Sequence, residues 1–207
     1  MSLGEKDFIG AANYVFLWMH ENSILSYGDI NPPASHEGIS ILDEIYTGKV
    51  PDELKAIYRI HDGQTGASNG IFAGYYFMSI REIIEAQALA VSFYEDTTLN
   101  KYAKSLIAEE ILPTFVHPER LSFASSGGGN FLAIDLKPGD KGTVGQVINC
   151  GRDDSIMQVL SYSFSDFLIK YAYLLRNDRI KPVLDEDLGT RLDCSPYDNL
   201  IQLMASN

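Results

Sequence analysis

The chain has 207 residues, with 16 Lys and Arg against 28 Asp and Glu, a net charge of −12. Its length fits one domain, or one with an appendage, and is enough to bury a proper core. Lacking a Lys/Arg cluster to displace phosphate counterions, it is excluded as a nucleic-acid or anionic-membrane binder, and its field attracts a basic partner.

Cys150 and Cys194 make neither a disulfide framework nor a metal site of recognisable spacing. His20, His36, His61 and His117 are scattered, with no pair that places two ligands on one helical face. No metal and no cofactor are expected. The N-terminal "MSLGEKDFIGAANYVFLWMH" has acidic residues before its apolar run and no cleavage-type ending, which argues against a signal peptide. The run is also shorter than the ~20 residues of a membrane span, so a cytoplasmic protein is expected.

Phe8, Ala12, Val15, Phe16 and Met19 recur at helical spacing, so the first segment reads as an amphipathic helix. Pro32 and Pro33 break the chain. A short helix follows over Glu37–Tyr46, with Leu42, Ile45 and Tyr46 inward and Gly48 at its end. "VPDELKAIYRIHDG" reads as a helix with Pro51 at its first position, Leu54, Ile57, Tyr58 and His61 on one face, and Gly63 as its left-handed cap. "IFAGYYFMSIREIIEAQALAVSFY" begins β-prone and then turns helical. Ser79 and Glu82 form a capping box there, and Met78 and Ile83 are placed as a hydrophobic staple. A further helix is expected over Leu99–Glu110.

"TFVHP", "RLSFASS", "NFLAIDL" and "VGQVINC" read as short strands between Gly, Pro and Asp turns. "SFSDFLIKYAYLL" reads as a helix capped by Ser163 with an apolar stripe from Phe164 to Leu175. The tail after Arg176 shows no strong periodicity until "YDNLIQLM". Helices, then strands, then a closing helix indicate an α+β fold: a mixed, largely antiparallel sheet with helices on one side.

Three segments invite a chemical reading. "RIHDGQTGASNG" contains a G-x-S-x-G match at Ser68, and a triad order Ser68, Asp96, His117 can be written. The elbow, however, requires a strand before the serine and a helix after it, and here the order is reversed. "SSGGGN" lacks the lysine of a phosphate loop and reads as a turn. "LDEDLG" departs from a calcium loop, because Pro196 stands where the bidentate glutamate belongs. His61 and Asp62 are adjacent, so their side chains point apart; the expectation is a half-packed histidine and an aspartate bonded to the turn backbone.

"VPDELKAIYRIHDGQ", "GIFAGYYFMSIREI", "NFLAIDL", "GQVI" and "SFSDFLIKY", in that order, resemble the SUKH superfamily of fungal cell-wall-synthesis regulators and bacterial immunity proteins. The resemblance spans about Phe8 to Leu175. It implies a single SUKH-like α+β domain over residues 1–176, with 177–207 a C-terminal extension whose packing is open. It also implies signature residues of structural role: Pro51, Tyr58, Asp62, Gly63, Gln64, Gly74, Asp135 and Phe164. The family has no known catalytic constellation, so the resemblance implies a non-catalytic protein-binding domain. Its first reading is an immunity protein that neutralises a toxin domain, with a basic toxin domain as partner. The alternative is a regulatory scaffold of cell-wall synthesis or stress signalling, and the distant alternative is a hydrolase. Candidate interface anchors are Tyr75, Tyr76, Tyr94 and Tyr102.

Overall fold

The computed structural model describes residues 5–65, 69–185 and 189–206. Helix α1 (Glu5–Glu21) is followed by α2 (His36–Ile45), which Ser35 caps by accepting the Gly38 N–H at 3.0 Å. Helix α3 (Asp52–Tyr58) follows a Pro51 that occupies the N-cap, one position before the helix, because its ψ of 137° is extended. Strand β1 (Tyr76–Phe77) leads into α4 (Ile80–Phe93) through the Ser79–Glu82 capping box. Then come α5 (Thr97–Asn100), β2 (Lys104–Ser105), β3 (Arg120–Ser125), β4 (Asn130–Asp135), β5 (Gln146–Gly151), β6 (Ile156–Met157) and β7 (Val159–Ser161). Helix α6 (Phe164–Arg176), capped by Ser163, precedes the hairpin β8 (Lys181–Asp185) and β9 (Gly189–Asp193) and a final α7 (Leu200–Ala205).

The main sheet has the order β1-β3-β4-β5-β7 and is wholly antiparallel; the parallel pairing is confined to β2 with β6. Successive residues of a strand face opposite sides, so the sheet has two apolar faces. Leu121, Phe123, Leu132, Ile134 and Val147 join the helices in the large core. At its heart Phe72 meets Phe123, Phe167 and Tyr171, with ring centroids 5.4–5.8 Å apart. Ala133, Ile148 and Cys150 point the other way and meet Ala103, Ile111 and Met157. The helix-rich side and a thin connector, residues 101–119, therefore sandwich the sheet.

That connector differs from its expected form. Instead of a helix over Leu99–Glu110, only Thr97–Asn100 is helical. Lys104 N–H donates to Ser155 O at 2.9 Å and Leu106 N–H to Met157 O at 2.8 Å, which draws the chain extended. Burying Ala103 and Ile111 against the sheet outweighs a local propensity of a few tenths of a kcal/mol per residue. "TFVHP" is not a strand either. Its carbonyl at Thr114 and that of Leu112 are taken by the Arg120 guanidinium, the latter at 2.6 Å. Phe115 N–H donates to the Asn100 side chain at 2.9 Å.

The segment after Arg176 packs into the large core. Ile180, Leu200 and Leu203 are fully buried, with Cys194 and Met204 beside them. Lys170 Nζ donates to Met204 O at 2.5 Å, and Asn69 Nδ2 donates to Thr190 O, joining the hairpin to the loop before β1.

Candidate protein-interaction surface

The signature segment is a knot of hydrogen bonds. Helix α3 ends at Tyr58, five residues before Gly63, so Gly63 is not its cap. Its φ of +75° serves a close approach instead, since a Cβ there would collide with the backbone of Met78 and Ser79. Asp62 Oδ1 accepts the Ile80 N–H at 2.8 Å, at the start of α4. Gln64 is 2% exposed. Its Oε1 accepts from Ile71 N at 3.0 Å and Phe77 N at 2.8 Å, and its Nε2 donates to Asn69 O at 3.2 Å. Tyr58 donates to Met78 O at 2.7 Å and stacks on Phe77. Gly74, at φ +98°, turns the chain between Phe72 and Tyr75.

Asp135 and Phe164 lie elsewhere. Phe164 belongs to the large core, 5.1 Å from Phe123. Asp135 is fully buried, accepts from Gln146 Nε2 at 3.2 Å, and pairs in register with Arg120 across β3 and β4. Burial raises its carboxyl, against the opposing pull of Arg120 and Gln146.

Of the four candidate tyrosines, Tyr75 and Tyr76 sit half-buried at the β1 edge and pack against the core. Burial, with Asp154 and Cys150 nearby, pushes the Tyr75 phenol well up. Tyr94 and Tyr102 are exposed, at the end of α4 and in the connector. Tyr94 sets its ring edge-on to His117 at 4.6 Å, and Lys101 lies 5.3 Å from the Tyr102 ring centre. Other large apolar residues are exposed besides this pair. Leu89, Val91 and Phe93 on α4, and Leu106 and Ile107 in the connector, are all about half exposed or more. The signal was present in "AQALAVSFY", nine residues of a solvent-facing helix without one charge.

Hollows also mark the surface of the described residues. A groove of about 430 Å³ lies between α1 and the Pro32–Pro33 break, lined by Phe16, Tyr27, Ile60 and both His20 and His61. Burial lowers the His61 imidazole, whose ring meets Phe16 edge-on at 4.7 Å. A hollow of about 840 Å³ lies between α1, β7, α6 and α7.

Ser68 lies outside the described residues. Asp96 accepts from Thr98 N–H at 2.9 Å, and His117 Nδ1 accepts from Glu119 N–H at 3.1 Å, so each serves its own turn. Burial pushes the Cys150 thiol up to about 12 and Cys194 up to about 11, away from thiolate reactivity. Among the described residues no group of three His, Cys, Asp or Glu side chains is placed to hold a metal, and no helix is long and apolar enough to cross a membrane.

An α+β domain with structural signature residues and exposed apolar faces is the class that fold and surface define. Residues 33–170 match the model of the SMI1/KNR4 family (SUKH-1), and the chain belongs to that family. It is 31% identical over 183 residues to the cell wall biosynthesis/cell cycle regulator smi1 of Schizosaccharomyces pombe, covering 82% of this chain and 36% of that protein. It is 24% identical over 205 residues to the cell wall assembly regulator SMI1 of Saccharomyces cerevisiae, covering 82% of this chain and 40% of that protein. The glucan synthesis regulatory protein of Neurospora crassa is also 24% identical, covering 82% of this chain and 38% of that protein. The chain thus spans about two fifths or less of these relatives, which are named as regulators.

Proposed function

We propose that this chain is a non-catalytic, protein-binding regulatory domain acting in the cytoplasm on cell-wall synthesis. The observation that carries the reading is the family match over residues 33–170, together with relatives named as regulators of wall and glucan synthesis. Those names favour the regulatory reading over toxin neutralisation. The exposed Tyr94 and Tyr102 are the better placed of the four candidate anchors.

The test is a chimera in which this chain replaces the matching segment of the fission-yeast relative. Expressed in cells lacking that relative, it restores resistance to wall-digesting enzyme. A chimera that is folded and present at normal level but leaves the cells sensitive overturns the reading.

A further inference from the structure

We propose that the second half of α4 docks a basic amphipathic helix from a partner protein. This deepens the regulatory reading and rests on it.

Ala90 is the buried residue of this stretch. Leu89 and Phe93, one turn apart, form a ridge on one side of it, and Val91 stands on the other. They are 60%, 47% and 54% exposed. Between the ridges lie Ala88 and Ser92, and Ser92 turns its hydroxyl back onto Ala88 O at 3.1 Å. The result is a shallow apolar trough with short residues along its floor, a shape that admits a second helix at close range.

The charges around the trough define its occupant. Ala86–Tyr94 carries none, while Glu82 and Glu85 precede it and Glu95 and Asp96 follow it. Arg81 pairs with Glu85 at 2.9 Å. An apolar trough with carboxylates at both ends complements a helix with an apolar stripe and Lys or Arg at both ends. A second copy of this chain is a poor occupant. Laid antiparallel it sets the Glu85 end against Glu95 and Asp96, laid parallel it sets like on like, and each copy carries −12.

The probe is a fluorescein-labelled designed peptide with a leucine stripe and Lys/Arg ends, titrated into the full chain and read by anisotropy. It binds; the same peptide with Glu at its ends does not; and binding weakens as salt rises. The exposed pair L89E/F93E, shown folded by circular dichroism, weakens binding by at least about tenfold, and E85K/E95K weakens it without touching the trough. Equal binding of both peptides, no binding of the basic one, or binding indifferent to both variants overturns the inference. So does concentration-dependent dimerisation by light scattering that L89E/F93E abolishes. In the yeast chimera, a functional chimera that L89E/F93E disables supports the inference. Equal function of both discards the trough and leaves the regulatory reading standing, whereas failure of the unmodified chimera discards that reading whatever the peptide does.

Discussion

Asp62 Oδ1 accepts the backbone N–H of Ile80 at 2.8 Å, eighteen positions further along the chain. The bond gives one orphan donor of α4 a partner and adds a carboxylate at the positive end of the helix dipole. Ser79 and Glu82 already close a capping box there, so Asp62 adds a tertiary tie to a locally specified start. Asp62→Ala is expected to cost about 1–2 kcal/mol, a drop of roughly 2–8 °C in melting temperature for a chain of this size. Asp62→Asn, which keeps an acceptor, recovers most of it in the same thermal melts.

Gln64 holds together three backbone groups within a single buried amide. Gln64→Leu preserves bulk but strands the Ile71 and Phe77 N–H groups in the interior. The expected loss is about 3 kcal/mol in urea denaturation. A loss under about 1 kcal/mol implies that the loop rearranges to satisfy them.

Arg120 holds the connector to the sheet. It is 3% exposed, donates to Leu112 O and Thr114 O, and lies across from buried Asp135. Arg120→Met leaves the part-buried Leu112 and Thr114 carbonyls without their donors and removes the pull of Arg120 on the Asp135 carboxyl, with an expected cost of about 3 kcal/mol. Hydrogen exchange should rise first in the connector, before the central strands, because the lost hydrogen bonds are the connector's.

How much of this was legible depended on whether a segment's shape is set locally. The capping box at Ser79, the cap at Ser163 and the apolar run of "NFLAIDL" between turn residues are short-range patterns, and the structure has each where the pattern puts it. The connector is different. Leu99–Glu110 has helical composition, but its conformation is fixed by β6, residues some fifty positions along the chain that no window over the segment contains. Gly63 shows the same limit on a smaller scale. The sequence marks it as a left-handed glycine, and only the packing shows that Ser79 is the reason. At the surface, exposed tyrosines and half-buried ones have the same letter, so Tyr94 was not separable from Tyr75. The uncharged run on α4 needed the exposure of Leu89 and Phe93 before it meant anything.

The tail carries its own prediction. Leu200 and Leu203 on α7 are fully buried in the large core, beside Ile180. Leu200→Ala is expected to cost about 3 kcal/mol, the usual loss for a large core aliphatic with its cavity. Truncation after Arg176 exposes the face that α7 covers and should give insoluble or dye-binding protein. A soluble truncated chain with an unchanged melt shows that α7 is dispensable.

His117 supplies the pH dependence. It is 6% exposed, and burial, reinforced by nearby Arg120 and Lys137 and opposed by Glu119, pulls its imidazole from the usual 6.5 down to about 4. The geometry agrees, since Nδ1 accepts the Glu119 N–H and so stays unprotonated. The unfolded chain therefore binds a proton that the folded one refuses between those two values. Stability from this group is full above about 6.5 and is lost as pH falls toward about 4. Buried Asp135 acts with the opposite sign in acid, because its raised carboxyl favours the protonated form on folding. The informative quantity is thus the difference between two chains, not the acid limb of one. His117→Gln keeps an acceptor but cannot titrate. Its urea midpoint should fall less than that of the unaltered chain between about pH 7 and about pH 4. Parallel curves for the two chains mean that His117 is as free to protonate folded as unfolded.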